Sequence, residues 1–301
     1  MFSFKKNNLE KIKSFIRNSE EIEIEIEKSD KEKLIKMIRP TVGIRTKSSD
    51  DKNLKVGKSK IGGKPDLPVD FEWPKSDNKS MLFCAQYNLF ELTKFDTESV
   101  LPNKGFFYIF LSLDEKWKEF NGINQEFKFI YSESENIIRT EFPKDLEQNE
   151  SFKTALIEYF EFYTIPQYDN FKLFELDKKY DDLAYHFNEL TDDCIRDILN
   201  LGYDNYHQII GHDRSIQASV VYEFSSKELG LYGVESSEHK KRWNDILDLS
   251  KTFELLLQLD CYDSNSDLTK FGGSGTYYFG LSKTDLENNN FNDIKMSFQM
   301  T

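Results

Sequence analysis

Two closely spaced histidines are the first residues in this chain whose types and spacing could bind a metal or move a proton. The segment "HQIIGH" places His207 and His212 five positions apart, with Asp213 directly after the second. Imidazole and carboxylate groups are common metal ligands and general bases. A spacing of five does not put two side chains on one face of a helix, and Gly211 indicates a turn. Because the pattern offers no third ligand, the sequence favours a structural role and predicts no metal.

An acidic stretch, "DSNSD", resembles the start of a calcium-binding loop. Asp263, Asn265 and Asp267 match the first, third and fifth ligand positions of such a loop. The sixth position requires glycine for a sharp turn and holds Leu268, and the twelfth requires a bidentate glutamate and holds Ser274. The pattern therefore predicts a solvated loop and no calcium site.

Nucleophiles and phosphate-binding loops are poorly represented. Cys84 and Cys261 lie within apolar runs typical of buried strands, where a thiol fills space. Together with Cys194 they make an odd number of cysteines at wide separations, which does not indicate a disulfide framework. The run "FGGSG" at 271–275 leads into an aromatic strand and not into a helix that would face a phosphate. Tyr278 also occupies the last glycine position of a dinucleotide motif. We therefore predict no catalytic residues and no cofactor.

The segment "SKIGGKPDLPVDFEWP", residues 59–74, combines glycines and prolines with aromatic residues. Gly62 and Gly63 can take backbone conformations closed to other residues, and each proline fixes its own φ and extends its predecessor. One interpretation is a stiff corner of the fold, held to the core by Phe71 and Trp73. The alternative is a rigid recognition loop, which would lose little entropy on binding a partner.

The charge distribution argues against one large class of function. The 301 residues carry a net charge of −13, whereas nucleic-acid-binding proteins show a basic field. Residues 1–60 hold 16 Lys and Arg against 10 Asp and Glu, a net of +6, so residues 61–301 carry −19. No apolar run approaches the roughly 20 residues of a membrane span, and the charged N-terminus is unlike a signal peptide. We therefore predict a soluble, cytoplasmic protein that binds neither nucleic acid nor membrane.

The elements that must position these residues begin with an N-terminal extension, residues 1–28. Within it, "NLEKIKSFI" predicts a short helix, and the alternation of Glu with Ile over 20–28 predicts an edge strand. A second helix follows, with Ser29 as its N-cap and Glu32 completing a capping box. We expect residues 29–301 to form one domain.

Short apolar and aromatic runs, separated by turns of Asn, Gly, Pro and Asp, predict antiparallel strands. They lie at 81–90, 101–113, 126–133, 217–224, 252–260 and 275–282. Residues 145–205 change to a helical middle, with an apolar stripe at Ile195, Ile198 and Leu199. The fold class predicted is α+β, with mostly antiparallel sheets and flanking helices.

Two of the strand segments repeat. When Gln86 is aligned on Gln258, Gly105 and Gly275 follow 19 and 17 residues later, and "GFFYIFLS" and "GTYYFGLS" share four of eight residues. The pattern predicts two related halves, roughly 59–140 and 205–301, that share one core. A buried glutamine must find partners for its amide. Each glutamine could hold a neighbouring backbone loop, or the two could line one cleft.

These motifs, taken in order, resemble the YwqG-like family, bacterial proteins with a domain of unknown function. The elements that carry the resemblance are Gly62, Gly63, Pro65, Trp73, Pro74, Ala85, Gln86, Leu101, Pro102 and Gly105, followed by Gly211, Gln217, Gln258, Asp260 and Gly275. The likeness spans about residues 30–301. It departs at Phe271, Gly272 and Gly273, where the family usually has Trp-Gly-Asp. The resemblance implies a mixed α+β fold without an established enzymatic activity.

Two functional hypotheses follow. The first is a binding or protein-interaction module, because rigid loops and aromatic residues occur without a recognisable catalytic set. The alternative is a hydrolase or small-molecule enzyme that uses carboxylates and His207 or His212 between the halves. The partner is an unknown protein or small molecule. The candidate binding residues are Gly62, Gly63, Pro65, Trp73, Gln86, Arg214, Gln217 and Gln258.

Overall fold

A computed structural model describes residues 2–18, 25–112, 126–146, 151–167, 170–180, 183–201 and 207–300. The strands in these ranges are β1 (Arg39–Ser48), β2 (Lys60–Ile61), β3 (Asp66–Pro68), β4 (Lys75–Ser76), β5 (Lys79–Ser80), β6 (Leu82–Asn88), β7 (Phe106–Leu111), β8 (Phe127–Ser132), β9 (Ile137–Arg139), β10 (Ala155–Thr164), β11 (His207–Ile209), β12 (Phe253–Asp260), β13 (Thr276–Ser282) and β14 (Lys295–Gln299). The helices are α1 (Phe2–Asn18), α2 (Lys28–Lys36), α3 (Leu89–Leu92), α4 (Phe174–Asp177), α5 (Leu183–Leu199), α6 (Val220–Glu228), α7 (Ser236–Lys241), α8 (Trp243–Ser250), α9 (Thr269–Gly272) and α10 (Lys283–Glu287).

Ten of these strands form one antiparallel sheet, in the order β14-β13-β12-β11-β1-β10-β2-β6-β7-β8. The central strands β1 and β10 pair along their whole length, from Arg39 opposite Thr164 to Ser48 opposite Ala155. On its other side β10 pairs with β2, which follows β1 in the chain, and β1 pairs with β11, which follows β10. At the centre of the sheet, β2 therefore lies beside β10 and not beside β1, and β11 lies beside β1 and not beside β10. This large antiparallel sheet with flanking helices confirms the mixed helix and strand fold class.

The sheet curls until residues near its two ends meet. Phe127 and Phe129 of β8 contact Phe279 of β13, with ring centroids 5.6 and 5.8 Å apart. Phe107 of β7 likewise lies 4.7 Å from Phe291, between α10 and β14. The sheet is thus nearly barrel-shaped, around an apolar interior that includes Val42 at its centre.

Three further apolar clusters cover the outer surface of the sheet. The helices α1, α2, α4 and α5 pack over β10, with Phe162 in the contact. The helices α6 and α8 pack over β12 and β13, around Phe224 and Tyr278. The chain from Leu67 to Phe83 covers β7, around Phe110. Each end of the sheet is therefore covered by different elements: α6 and α8 at one end, and the chain from Leu67 to Phe83 at the other.

Two predicted elements differ from the structure. The prediction of a helical middle over 145–205 is wrong in its first part, which contains the strand β10, and confirmed in its later part, where Ile195, Ile198 and Leu199 lie on α5. Residues 217–224, predicted to be a strand, lead into the helix α6. Apolar and aromatic runs of this length fit either state locally, so the surroundings decide. β10 has a ten-residue partner in β1, whereas Val220, Val221 and Phe224 make one buried helix face.

The predicted capping box at the start of α2 is also wrong. The helix begins at Lys28, one residue before the predicted cap Ser29, and Glu27 holds the cap position without a side-chain bond. Glu32 does not reach back to the helix start. Its Oε1 accepts a hydrogen bond from Arg17 Nε at 2.6 Å, so it joins α2 to α1.

The predicted N-terminal extension contains α1, which is longer than the predicted helix. Ile12 and Ile16 of α1 are buried in the same cluster as Leu183 and Ile195 of α5. The predicted edge strand over 20–28 lies mostly outside the described residues, and its described part before α2 is not in a strand.

Candidate functional site

Gln86 of β6 holds the backbone of the glycine–proline loop. Its Oε1 accepts from the Asp66 amide at 2.7 Å, and its Nε2 donates to the Lys58 carbonyl and to Asp66 Oδ2, both at 2.8 Å. Tyr108, directly opposite Gln86 on β7, donates its hydroxyl to the Asp66 carbonyl at 2.8 Å. The amide of Gln86 is therefore engaged by its own loop.

Asp66 is the centre of a buried charged network in that loop. Its fully buried carboxylate pairs with Arg139 of β9 and accepts from the Gly57 amide at 2.9 Å. Lys60, also fully buried, places its Nζ 2.7 Å from Asp51 Oδ1. Burial lowers the pKa of Lys60, and the neighbouring carboxylates oppose that shift. Opposite charges face each other inside this network, which ties the loop to Arg139 and Asp51.

The same arrangement recurs around Gln258 of β12. Its Oε1 accepts from the Arg214 amide at 2.9 Å. Tyr278, directly opposite on β13, donates its hydroxyl to the Arg214 carbonyl at 2.7 Å. The Arg214 side chain turns the other way and places Nη1 2.5 Å from Asp192 of α5. Gln258 therefore also clamps a loop.

A β-bulge precedes each glutamine by the same offset. The ladder of β6 and β7 skips Cys84, whose carbonyl accepts from the Gly62 amide at 2.8 Å. The ladder of β12 and β13 skips Leu256, whose carbonyl accepts from the Ile210 amide at 2.9 Å. In both cases the donor and the glycine after it have positive φ, a conformation that glycine adopts without strain. The two loops therefore turn away from the sheet in the same manner.

The structure does not bring the two glutamines onto one cleft. The strands β6 and β12 are separated in the sheet by β2, β10, β1 and β11. Of the predicted binding residues, one group lies at the first loop: Gly62, Gly63, Pro65 and Gln86. A second group lies at the other loop: Arg214, Gln217 and Gln258. A binding role for these residues stays a prediction, and their observed contacts hold loops.

Trp73 lies apart from both groups, against the outer cluster over β7. Its Nε1 donates to the Met81 carbonyl at 2.8 Å, and its ring lies 5.4 Å from Phe110 and 6.2 Å from Phe142. Phe71 stacks on Phe110 at 6.0 Å. These contacts agree with the interpretation of residues 59–74 as a corner held to the core by its aromatic residues.

The acidic stretch after β12 is partly buried, so the prediction of a solvated loop is wrong for Asp263 and Ser266. Asp263 is fully buried and accepts from Thr46 Oγ1 at 3.0 Å and from Ser266 Oγ at 2.6 Å. His207 Nδ1 accepts from the Asp260 amide at 3.0 Å, and its Nε2 lies 3.5 Å from Asp263 Oδ2. Burial raises the pKa of Asp263, but His207, the Ser266 hydroxyl and the Asn265 backbone amide outweigh burial and bring it to about 2.

The other sequence candidates for a nucleophile or base are buried and neutral. Burial raises the pKa of the Cys84 and Cys261 thiols, which agrees with their predicted role as apolar fillers. Burial also holds the pKa of His212 well below its usual value, and its Nε2 lies 2.8 Å from the Met37 carbonyl. The space beside His212 measures about 20 Å³, enough for about one water molecule.

A larger cleft, of about 340 Å³, lies on the outer surface between α6, α8 and β14. Its lining residues are Gln217, Tyr222, Glu223, Ser226, Tyr232, Gly233, His239, Trp243, Ile246 and Phe298. The rings of Tyr222 and Trp243 lie 5.1 Å apart, and Trp243 is 41% exposed at the rim. The volume and the mixture of aromatic walls with a few polar groups are typical of small-ligand sites.

Glu223 is the carboxylate of this cleft, and the end of β14 orients it. Gln299 Nε2 donates to Glu223 Oε1 at 2.6 Å, and Ser297 Oγ donates to Oε2. The Gln299 amide is itself fixed, because its Oε1 accepts from the Ile216 and Gln217 amides at 2.8 and 3.0 Å. Burial raises the pKa of Glu223, although these neutral donors favour its charged form. The cleft thus holds a preorganised acceptor.

An aromatic face next to the cleft already holds an ammonium group. Lys227, one helical turn after Glu223, places its Nζ 3.8 Å from the centroid of the Tyr232 ring. Burial lowers the pKa of Lys227 to about 8, and Glu223 opposes that shift. Because Tyr232 is covered from the Lys227 side and Tyr222 is only 7% exposed, Trp243 is the exposed ring at the cleft.

Residues 59–299 match the domain of unknown function DUF1963, which is 241 of the 301 residues. The chain belongs to the DUF1963 family. Comparison with curated proteins gives no match. The DUF1963 region contains both glutamine clamps and every residue that lines the cleft. It leaves out β1, although β1 lies at the centre of the sheet.

Two further features are absent from the residues that the structure describes. No cluster of three or more His, Cys, Asp or Glu side chains in those ranges is arranged to hold a metal ion. Within the same ranges, no helix has both the length and the apolar character needed to cross a bilayer.

Sequence reasoning missed Glu223, Trp243 and His239 as residues that share a cleft. Of the residues that line the cleft, the candidate binding residues include Gln217. With 53 Asp and Glu in the chain, spacing alone cannot single out one carboxylate. The available signal was the helical period of Val220, Val221 and Phe224, which would have placed Glu223 away from the core face. The β-branched and aromatic residues of the same segment favour a strand, and they hide that signal.

Proposed function

We propose that this DUF1963 protein is a binding module that takes a small organic cation in the cleft between α6, α8 and β14. The observation that carries the proposal is the combination of aromatic walls with the oriented carboxylate of Glu223. Trp and Tyr faces attract an ammonium group through the ring quadrupole, and the attraction is stronger where water is excluded. Lys227 over Tyr232 is an example of the same contact within the chain.

The test compares choline with its neutral isostere, 3,3-dimethyl-1-butanol, by quenching of tryptophan fluorescence. We expect choline to bind more tightly, because only the cation gains from the rings and from Glu223. The substitution Glu223→Gln keeps the shape and removes the charge. It should weaken choline binding about tenfold or more, since two opposite unit charges about 4 Å apart near a protein surface attract by about 4 kcal/mol. The quenching should disappear in Trp243→Leu.

The matched control is Glu228→Gln, on the same helix, which makes the same change in net charge outside the cleft lining. It should leave choline affinity unchanged. Affinity should also fall as the pH is lowered towards the raised pKa of Glu223, because the carboxylate loses its charge. Equal affinity for choline and the neutral alcohol would contradict the proposal.

The alternative, a hydrolase or other small-molecule enzyme, draws support from the presence of His239 in the same cleft as Glu223. His239 Nε2 lies 2.7 Å from the Leu231 carbonyl, which makes it the donor and leaves the lone pair on Nδ1 for a base. This site would lie within the second half, not between the halves. A ligand that is recovered chemically unchanged after long incubation favours binding over turnover.

We also infer that the two ends of the sheet are copies of one unit. The support is the shared set of bulge, positive-φ glycine, glutamine clamp and opposing tyrosine around Gln86 and Gln258. Superposition of residues 82–112 on 254–282 in an experimental structure should place the two bulges, glutamines and tyrosines on each other at once. A fit that aligned the strands but misplaced the glutamines would overturn the inference.

The finer assignment to the YwqG-like family remains our proposal. It is supported by the position of the motif residues, from Gly62 to Gly275, inside the matched DUF1963 region. A location in the cytoplasm is likewise proposed, supported by three cysteines that are all free thiols, as is usual in a reducing compartment.

A further inference from the structure

A second cavity, of about 420 Å³, lies where the two ends of the sheet approach each other. Its wall is made mainly by the loop between α3 and β7, by the end of β8 and by the turn after α10. Its polar lining includes Asp96, Asn103, Lys104, Tyr131, Glu133 and Asn289. This cavity shares no residue with the aromatic cleft beside α6.

Asp96 gives this cavity its chemistry. The residue is only 5% exposed, and its Oδ2 accepts from the Leu101 amide at 2.8 Å. Its other oxygen, Oδ1, is buried and has no hydrogen-bond partner among the described residues. A buried carboxylate oxygen without a donor is costly, so it indicates a water molecule or a ligand in the adjoining space. The missing partner is a hydrogen-bond donor.

The other charges that line the cavity are paired with each other. Lys104 Nζ lies 2.5 Å from Glu133 Oε2, and Tyr131 donates its hydroxyl to Glu133 Oε1 at 3.1 Å. Asn103 and Asn289, both exposed, contribute amides that can donate and accept. The cavity therefore offers one buried acceptor, two amphiprotic amides and an aromatic ring.

We propose that this cavity binds a neutral polyhydroxylated molecule, a sugar or polyol, with one hydroxyl donating to Asp96 Oδ1. Vicinal hydroxyls are both donors and acceptors, which matches a carboxylate next to amide side chains. An anion would meet the Asp96 carboxylate. A multivalent metal ion would need further ligands, and the described residues contain no cluster of three. The organic cation proposed for the other cleft lacks the set of hydroxyls that these amides would satisfy.

The experiment is saturation-transfer difference NMR on the full chain, titrated with D-glucose, D-galactose and myo-inositol. We expect at least one of the three to give a saturable signal. In Asp96→Asn an oxygen remains for the Leu101 amide while an amide group replaces the acceptor in the cavity, so affinity should fall about tenfold or more. In Asn289→Gly, which keeps a residue suited to the positive φ of 53° at this position, affinity should also fall.

Two controls separate this site from the rest of the molecule. Glu98→Gln changes a carboxylate in the same loop that does not line the cavity, and it should leave sugar binding unchanged. Glu223→Gln should also leave sugar binding unchanged while it weakens choline binding. Thermal melting of each variant checks that it folds, and Asn289→Gly tests the site with Asp96 intact.

Three outcomes would overturn the proposal. The first is no saturable binding of any of the three probes, which would leave a structural water only beside Asp96. The second is a sugar that binds Asp96→Asn and Asn289→Gly as tightly as the unchanged protein. The third is loss of sugar binding in Glu223→Gln, which would place the sugar in the aromatic cleft.

Discussion

Arg139→Met should lower the free energy of unfolding by about 3–5 kcal/mol, which is the usual cost of breaking a buried ion pair by removing one partner. Arg139 is the cation that pairs with the fully buried Asp66. It also donates to the Asp51 and Leu54 carbonyls at 2.6 and 3.2 Å. Methionine keeps much of the side-chain volume, so the loss reports on charge and hydrogen bonds. Urea denaturation followed by circular dichroism measures it.

The control is Glu141→Gln, which breaks a salt bridge of the same kind at the surface. Glu141 pairs with Lys64 at 2.7 Å, but the two side chains are 78% and 38% exposed. Exposed pairs contribute about 0–1 kcal/mol, so this variant should be nearly as stable as the unchanged protein. An equally small loss of unfolding free energy in Arg139→Met would contradict the prediction. It would mean that water reaches Asp66 and that the buried charges do not hold the loop.

Trp73→Ala should cost about 3 kcal/mol, near the lower end of the range for large aromatic truncations because the side chain is half-buried. The substitution removes the ring contacts with Phe110 and Phe142 and leaves the Met81 carbonyl without its donor. Thermal and urea unfolding measure the loss.

The matched control for Trp73 is Trp243→Ala, at the exposed rim of the aromatic cleft. With 41% of its surface exposed, Trp243 should contribute about 1 kcal/mol or less to stability. The two tryptophans should therefore separate by function, with Trp73 affecting stability and Trp243 affecting ligand binding. Unchanged unfolding of Trp73→Ala would mean that residues 59–74 present this side chain to a partner.

The strands that the sequence predicted correctly are those whose local pattern has one interpretation. β6, β7, β8, β12 and β13 are short, apolar and bounded by turn residues, so their type could be read without knowledge of their neighbours. The types of β10 and α6 could not be predicted from their local patterns alone. The sequence of β10 becomes a strand because β1 supplies a partner of equal length, and such a partner lies more than a hundred residues away.

The candidate sites depend on contacts that are distant in sequence. Glu223 is oriented by Gln299, 76 residues later, and the cavity at Asp96 is completed by Asn289. No local sequence motif predicts either of these two arrangements. The glutamine clamps were closer to prediction, since the alignment of Gln86 on Gln258 pointed to equivalent environments. The sequence leaves two alternatives for these amides, a neighbouring backbone loop or a shared cleft, and the structure agrees with the loop.

The place of β1 has a consequence for how the protein can be divided. A fragment that began at Ser59, where the DUF1963 match begins, would lack the strand that covers one edge of β10 and one edge of β11. Ten residues of bare backbone amides and carbonyls along β10 would then invite pairing with other chains. The smallest piece that keeps β10 and β11 paired must therefore include β1 and start no later than Arg39.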